Sequence, residues 1–224
     1  HETVQVDHEK PAATISHVQF RVAQARKTAL LKNILKEKEM ATTLVFTRTK
    51  FKAKNLARQL QKAGFRATSL QGNMSQSQRR VAMDGFRSGK FNILVATDIA
   101  ARGIDVSGIS HVVNYDIPDT VEAYTHRTGR TGRAEQTGEA FSFVTAADSQ
   151  LIRTVERTLG KKIRQEIPEG FDCGPDAFPP PQRRNQASRR PSRSYGKPSG
   201  RRAKSSSGRK RTASFDFGLT ASAK

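Results

Sequence analysis

The sequence predicts an α/β domain, a parallel sheet with helices on both faces, followed by a disordered basic tail. Short β-branched runs alternate with amphipathic helical patterns, as they do when crossover helices connect parallel strands. The loops after the runs ending near residues 47, 70, 96 and 113 are polar or glycine-rich. Composition then breaks near Gly174: residues 182–211 hold twelve basic side chains and no acid, set among Ser, Gly and Pro. Such a segment buries too little apolar surface to offset its ordering entropy.

Strands are expected at 15–22, 43–47, 67–70, 93–96, 111–113 and 139–144, with helices at 26–37, 50–63, 75–87, 120–127 and 147–159. In the second helix Leu56, Leu60 and Ala63 keep a core-facing spacing, and in the third Val81, Met83 and Phe86 do so less regularly. Gly64, Gly72 and Gly103 fall where a helix stop or loop is wanted. Open α/β sheets bind ligands beyond the carboxyl ends of their strands, so the polar loops are where chemistry is expected.

At 224 residues the chain suits one domain plus appendages, and its formal net charge of +20 calls for a polyanionic partner. Without the tail's twelve basic residues and Lys224, 27 basic residues face 19 acids before Asp216, so the body is basic in its own right. Nucleic acid leads as partner and an anionic membrane follows, although the tail has no amphipathic periodicity. No apolar run is long enough to span a bilayer and no leader opens the chain, so a cytoplasmic protein with no membrane contact is expected. Cys173 is the only cysteine, which excludes an intramolecular disulfide and a cysteine-based zinc site. A start at His1 without Met suggests a fragment.

The most informative stretch is His126-Arg127-Thr128-Gly129-Arg130-Thr131-Gly132-Arg133, with arginines at every third position in and after the fourth expected helix. Clustered guanidinium groups repel one another, a cost tolerated where a multiply charged anion arrives, because planar guanidinium groups bind phosphate oxygens bidentately. The alternative is a solvated basic loop. This octapeptide matches the HRxGRxGR motif and resembles the arginine-finger loop of DEAD-box helicases; His126 favours that branch over DEAH-type enzymes, which usually begin it with Gln. The resemblance implies a RecA-like C-terminal helicase domain. In it Arg130 and Arg133 reach the γ-phosphate of ATP held on a partner domain, and His126 and Arg127 link the two halves.

Other residues extend the resemblance over roughly residues 15–171. The stretch from Ala96 to Asp105 matches ATDxxARGxD, which implies that Asp105 contacts the nucleotide ribose and Thr97 the RNA backbone, while Asp98, Arg102 and Gly103 shape the loop, Gly103 lying at the nucleotide and Asp98 on the RNA side. The segment 44–49 resembles VFxxT/R, Gln76 and Arg79 resemble QxxR, and Gly72 sits where the family has LHG, with Gln71 in place of its His. These imply an RNA-facing set of Thr47, Arg48, Gly72, Gln76 and Arg79. Contacts of this kind go to sugar and phosphate and carry no sequence information, so binding to single-stranded or structured RNA should be largely sequence-independent. Tyr115 and Tyr124 read as packing residues.

No G-x-x-x-x-G-K-[ST] phosphate loop exists in the chain; the nearest lookalike starts at Gly85, is one residue short and lacks the hydroxyl. The resemblance therefore places ATP and Mg2+ mainly on an N-terminal RecA-like domain, with residues 1–13 as the linker end, 14–173 as the helicase C-terminal domain and 174–224 as the tail. FTRTK, ATDIAARGID, VVNYDIP and the basic tail look most like the bacterial RhlE-type group. The competing function is a stand-alone basic RNA-binding or annealing protein acting by charge, against which stands the intact finger loop.

Overall fold

The computed structural model describes residues 15–38, 40–103, 108–132 and 137–177. The expected linker end, the tail beyond Ala177, Asp105 and Arg133 lie outside them. Seven strands, β1 (Ile15–Arg21), β2 (Thr43–Phe46), β3 (Ala67–Leu70), β4 (Ile93–Ala96), β5 (His111–Asn114), β6 (Gly138–Val144) and β7 (Arg164–Glu166), form one sheet in the order β3-β4-β2-β5-β6-β1-β7. Every neighbouring pair is parallel, so each return must cross over the sheet. The helices are α1 (Lys27–Glu37), α2 (Lys50–Lys62), α3 (Gln76–Arg87), α4 (Asp98–Ala101), α5 (Val121–Thr128) and α6 (Ser149–Leu159).

The central strands β2 and β4 are buried on both faces, which is why they read as continuous apolar runs rather than alternating ones. On one face Val45, Val95, Val113, Phe141 and Phe143 meet Leu30, Ile34, Leu56 and Leu60 of α1 and α2. On the other, Leu44, Phe46, Leu94 and Val112 meet Ala82, Phe86 and Ala100 of α3 and α4. Tyr124, Val144, Ile152 and Val155 close the sheet beneath α5 and α6. Helix starts are set by side chains: Thr49 and Thr120 each accept a backbone N–H three residues on, and Ser75 with Gln78 forms a capping box.

Several expectations need correction. Of the expected α3 stripe, Phe86 is buried and Met83 packs against the core, but Val81 is 64% exposed and Ala82 and Gly85 take the inward positions instead. Ala63 is exposed, while Ala53, Leu56, Ala57 and Leu60 are buried. Strand β7, a polar three-residue edge, and α4, a single turn inside a motif read as loop, carried no apolar periodicity to find them by. The Gly85 lookalike is the end of α3 and the turn after it. At the end of the described residues Ala23 N–H donates to Cys173 O at 2.8 Å, and Ala177 is buried. No helix among the described residues is long and apolar enough to cross a membrane.

Candidate functional site

Parallel register levels the strand ends. Phe46 pairs with Ala96 and Asn114, and Leu70 pairs with Ala96, so residues 47, 71, 97 and 115 emerge side by side along one rim. This brings Thr47, Arg48, Gly72 and Thr97 to the carboxyl edge where ligands of open sheets bind. Gly72, Gln76 and Arg48 are exposed there. Arg48 pairs with Asp119 at 3.0 Å and donates to Ile117 O at 3.2 Å. Arg79 is half-buried and donates to Ala100 O at 3.4 Å, bracing α3 against α4. Thr97 occupies the N-cap position of α4 without a side-chain capping bond, whereas Thr47 is fully buried, its hydroxyl 3.4 Å from Thr49 O; it shapes the rim from within and presents no hydroxyl to solvent.

His126 and Arg127 occupy the last turn of α5, inside the helix expected at 120–127, and Arg130 follows in the loop. Their roles divide. Arg127 is 3% exposed, and its guanidinium donates to both Asp98 carboxylate oxygens at 2.6 and 2.7 Å, to Asn114 Oδ1 at 3.2 Å and to Asp116 O at 2.7 Å. It also lies over the Phe46 ring, 5.0 Å from the centroid. In this arrangement Arg127 is committed inside the domain, tying α5 to α4 and to the end of β5. His126 is exposed, and with Arg102, Arg130 and Asp98 it lines an open cleft of about 120 Å³ between α4 and α5.

The chain after Arg130 turns sharply at Gly132, whose φ of +67° is left-handed. Gly138 then passes so close that a Cβ there would stand 2.5 Å from Gly132 N, and the Thr131 hydroxyl donates to Ile109 O and Ser110 O. The chain is thereby pinned immediately after Arg130. Asp105 and Arg133, which the resemblance places at the nucleotide, lie outside the described residues.

Two residues absent from the expected site set, Asp116 and Asn114, organise it together with Arg102, which was expected only to shape its loop. Buried Asp116 accepts from Arg48 N–H at 3.0 Å and from Lys52 Nζ at 3.0 and 3.2 Å, fixing the β2 loop to the β5 loop. Asn114 joins Arg127 to Ser142 Oγ at 3.4 Å. Arg102 enters the cleft. The stretches VVNYDIP and ARG contained all three, but nothing in their spacing gave the partners.

From Asn114 a polar chain runs beneath α5: Ser142 Oγ donates to Tyr124 OH at 3.4 Å, and Tyr124 OH lies 3.1 Å from His17 Nδ1. Burial, reinforced by the positive charge of Lys161, pushes His17 from 6.5 down to about 4, and burial pushes the Tyr124 hydroxyl up to about 12. A neutral His17 ring can accept the Tyr124 proton. Because the folded chain takes up the His17 proton less readily than the unfolded chain, stability is full above pH 6.5 and declines as pH falls from 6.5 towards 4. The loss attributable to His17 is about 3 kcal/mol over that window. Thermal melts should show His17→Gln removing most of this pH slope, with a remainder from His111, which burial also lowers; an unchanged slope would contradict the assignment.

A family model described as the helicase conserved C-terminal domain matches residues 26–135. The DEAD-box ATP-dependent RNA helicase CshA of Bacillus subtilis is 39% identical over 153 residues, 67% of this chain and 31% of that relative. The chain thus spans about a third of the length of the curated relatives it matches. The crystal structure of the E. coli DEAD-box protein SrmB, bound to regulator of ribonuclease activity A, matches with a TM-score of 0.65 at 40% identity, covering 68% of this chain and 91% of that one. The chain belongs to the DEAD-box helicase family. S. cerevisiae Dbp5 bound to RNA and ADP BeF3 matches at 28% identity and a TM-score of 0.66, over 71% of this chain and 43% of that one. The RecA-like fold expected is that of DEAD-box C-terminal domains, and these matches are to a helicase domain rather than to a stand-alone RNA-binding module.

Proposed function

We propose that this DEAD-box domain is the arginine-finger and RNA-facing half of an ATP-dependent RNA helicase that locally unwinds or remodels RNA in the cytoplasm, of the bacterial RhlE-type group. The observation that carries the reading is the cleft lined by Arg102, His126 and Arg130, held by the Arg127–Asp98 pair beside the rim that exposes Gly72 and Gln76. Pockets that enclose a small molecule usually run about 300–1,000 Å³. A cleft of about 120 Å³ suits side chains that reach a phosphate held elsewhere. No group of three or more His, Cys, Asp or Glu among the described residues is placed to hold a metal ion. By the family resemblance, ATP with Mg2+ is assigned mainly to an N-terminal RecA-like domain, where the metal neutralises charge developing on the phosphates. Arg130 and Arg133 stabilise the same charge from this side, and His126 lies at the contact between the halves.

RNA crosses the rim at Arg48, Gly72, Gln76, Arg79 and Thr97, bound through its backbone with little sequence preference. The RhlE-type assignment rests on FTRTK, ATDIAARGID, VVNYDIP and the basic tail. The test combines this chain with a phosphate-loop domain, in one polypeptide or as two. RNA-stimulated ATP hydrolysis is expected, together with RNA binding that Gln76→Ala/Arg79→Ala weakens. RNA binding and annealing with no hydrolysis in any such combination would instead favour action by charge alone.

A further inference from the structure

A second feature lies outside the finger cleft. At the free edge of β3, between α2 and α3, an open groove of about 610 Å³ holds two large apolar side chains that the core does not use, Phe51 at 66% and Val81 at 64% exposure. Exposed apolar surface gathered in a concavity marks a binding site more often than scattered exposure does. Its charge identifies the occupant. The charged side chains lining it are Lys50 and Lys54, with no acid among the lining residues, and α2 as a whole carries four lysines, one arginine and no acid. Lys50 Nζ donates to Asn73 Oδ1 at 3.0 Å and sits 5.4 Å from the Phe51 ring centroid, so cation and ring form one surface joined to the loop after β3.

That loop makes the groove continuous with the rim. Asn73 and Gln78 line it, and they neighbour Gly72 and Gln76 along the same loop and helix start. We propose that the groove is an additional single-stranded RNA site, in which Phe51 stacks against a base while Lys50 and Lys54 lie along the phosphates. It rests on the RNA-facing reading of the rim and extends the strand's path around the β3 edge. Stacking on an aromatic face is available to every base, so the site adds affinity without sequence preference, while Asn73 and Gln78 can meet base edges.

The test uses the full chain and a fluorescein-labelled 12-nucleotide oligouridine, with binding followed by anisotropy at about 300 mM salt to reduce purely ionic binding. The comparison probe is the same ribose-phosphate backbone without bases. Phe51→Ala should weaken oligouridine binding at least about fivefold, leave the abasic probe and the salt slope unchanged, and be rescued by Phe51→Tyr. Lys54→Glu should weaken both probes and flatten the salt slope. A 4-thiouridine oligomer should crosslink to Phe51. If Phe51→Ala changes neither probe while Gln76→Ala/Arg79→Ala weakens both, the groove proposal fails and the rim reading stands; a peptide-binding groove would give this result. If neither set of substitutions weakens binding, both readings fail.

Discussion

Arg130→Ala, in a protein that joins this domain to its phosphate-loop partner, is expected to lower RNA-stimulated ATP turnover by about three orders of magnitude or more. The reason is chemical: charge accumulates on the phosphoryl oxygens in the transition state, and a guanidinium group meets it with two donors in fixed geometry. Arg130→Lys should recover little, because an ammonium is a point charge on a flexible stem and cannot reproduce the fork. RNA binding by the isolated chain should stay within about twofold, since the rim residues and not Arg130 carry it. Steady-state ATPase assays with saturating RNA, paired with anisotropy, separate the two effects. Hydrolysis retained in Arg130→Ala and in Arg133→Ala would remove the finger assignment while leaving the family membership untouched.

Arg127→Ala should act first on folding. Its guanidinium is 3% exposed and engaged with both Asp98 carboxylate oxygens, Asn114 Oδ1 and the Asp116 carbonyl, so its removal takes the donor from four acceptor atoms and opens a gap over Phe46. Leaving the Asn114 and Asp116 acceptors without this donor costs about 1–3 kcal/mol each, and the half-exposed Asp98 side of the pair adds less. For a domain of this size that corresponds to a fall in Tm of roughly 10 °C. Arg127→Lys should not restore it, because one ammonium cannot serve acceptors on α4, β5 and the loop after β5 together. Asp98→Ala should cost less, since its side chain is 50% exposed and water can replace part of the pair. Thermal melts of the three variants give the ranking, and an Arg127→Ala protein as stable as the parent would show that the pair does not hold α5.

The contrast between Arg130 and Arg127 shows where sequence reasoning reached its limit. The octapeptide located the site because its arginines recur at a fixed spacing, yet spacing says nothing of direction. The turn from helix to loop at Gly129 sends one arginine inward to Asp98 and the next to the open cleft. Strands β2 and β4 were legible because burial on both faces leaves short, mainly apolar runs, and β5 and β6 because a β-branched or aromatic core survives between their polar positions. Strand β7 has one neighbour and polar side chains, so it left no such trace. Val81 misled for the opposite reason, an apolar residue on a helix facing away from the core. Asp116 was visible only as a letter in VVNYDIP, since its three contacts join residues more than sixty positions apart.

The level endings of β2, β3, β4 and β5 have a mechanical meaning. Side chains mounted on a close-packed sheet whose strands stop in line cannot advance one at a time, because each strand end is fixed by hydrogen bonds to its neighbours. Whatever surface meets this rim meets it all at once, like the teeth of a comb. On the proposed reading, engagement of RNA and of the finger cleft would be geared to a single displacement of the whole domain.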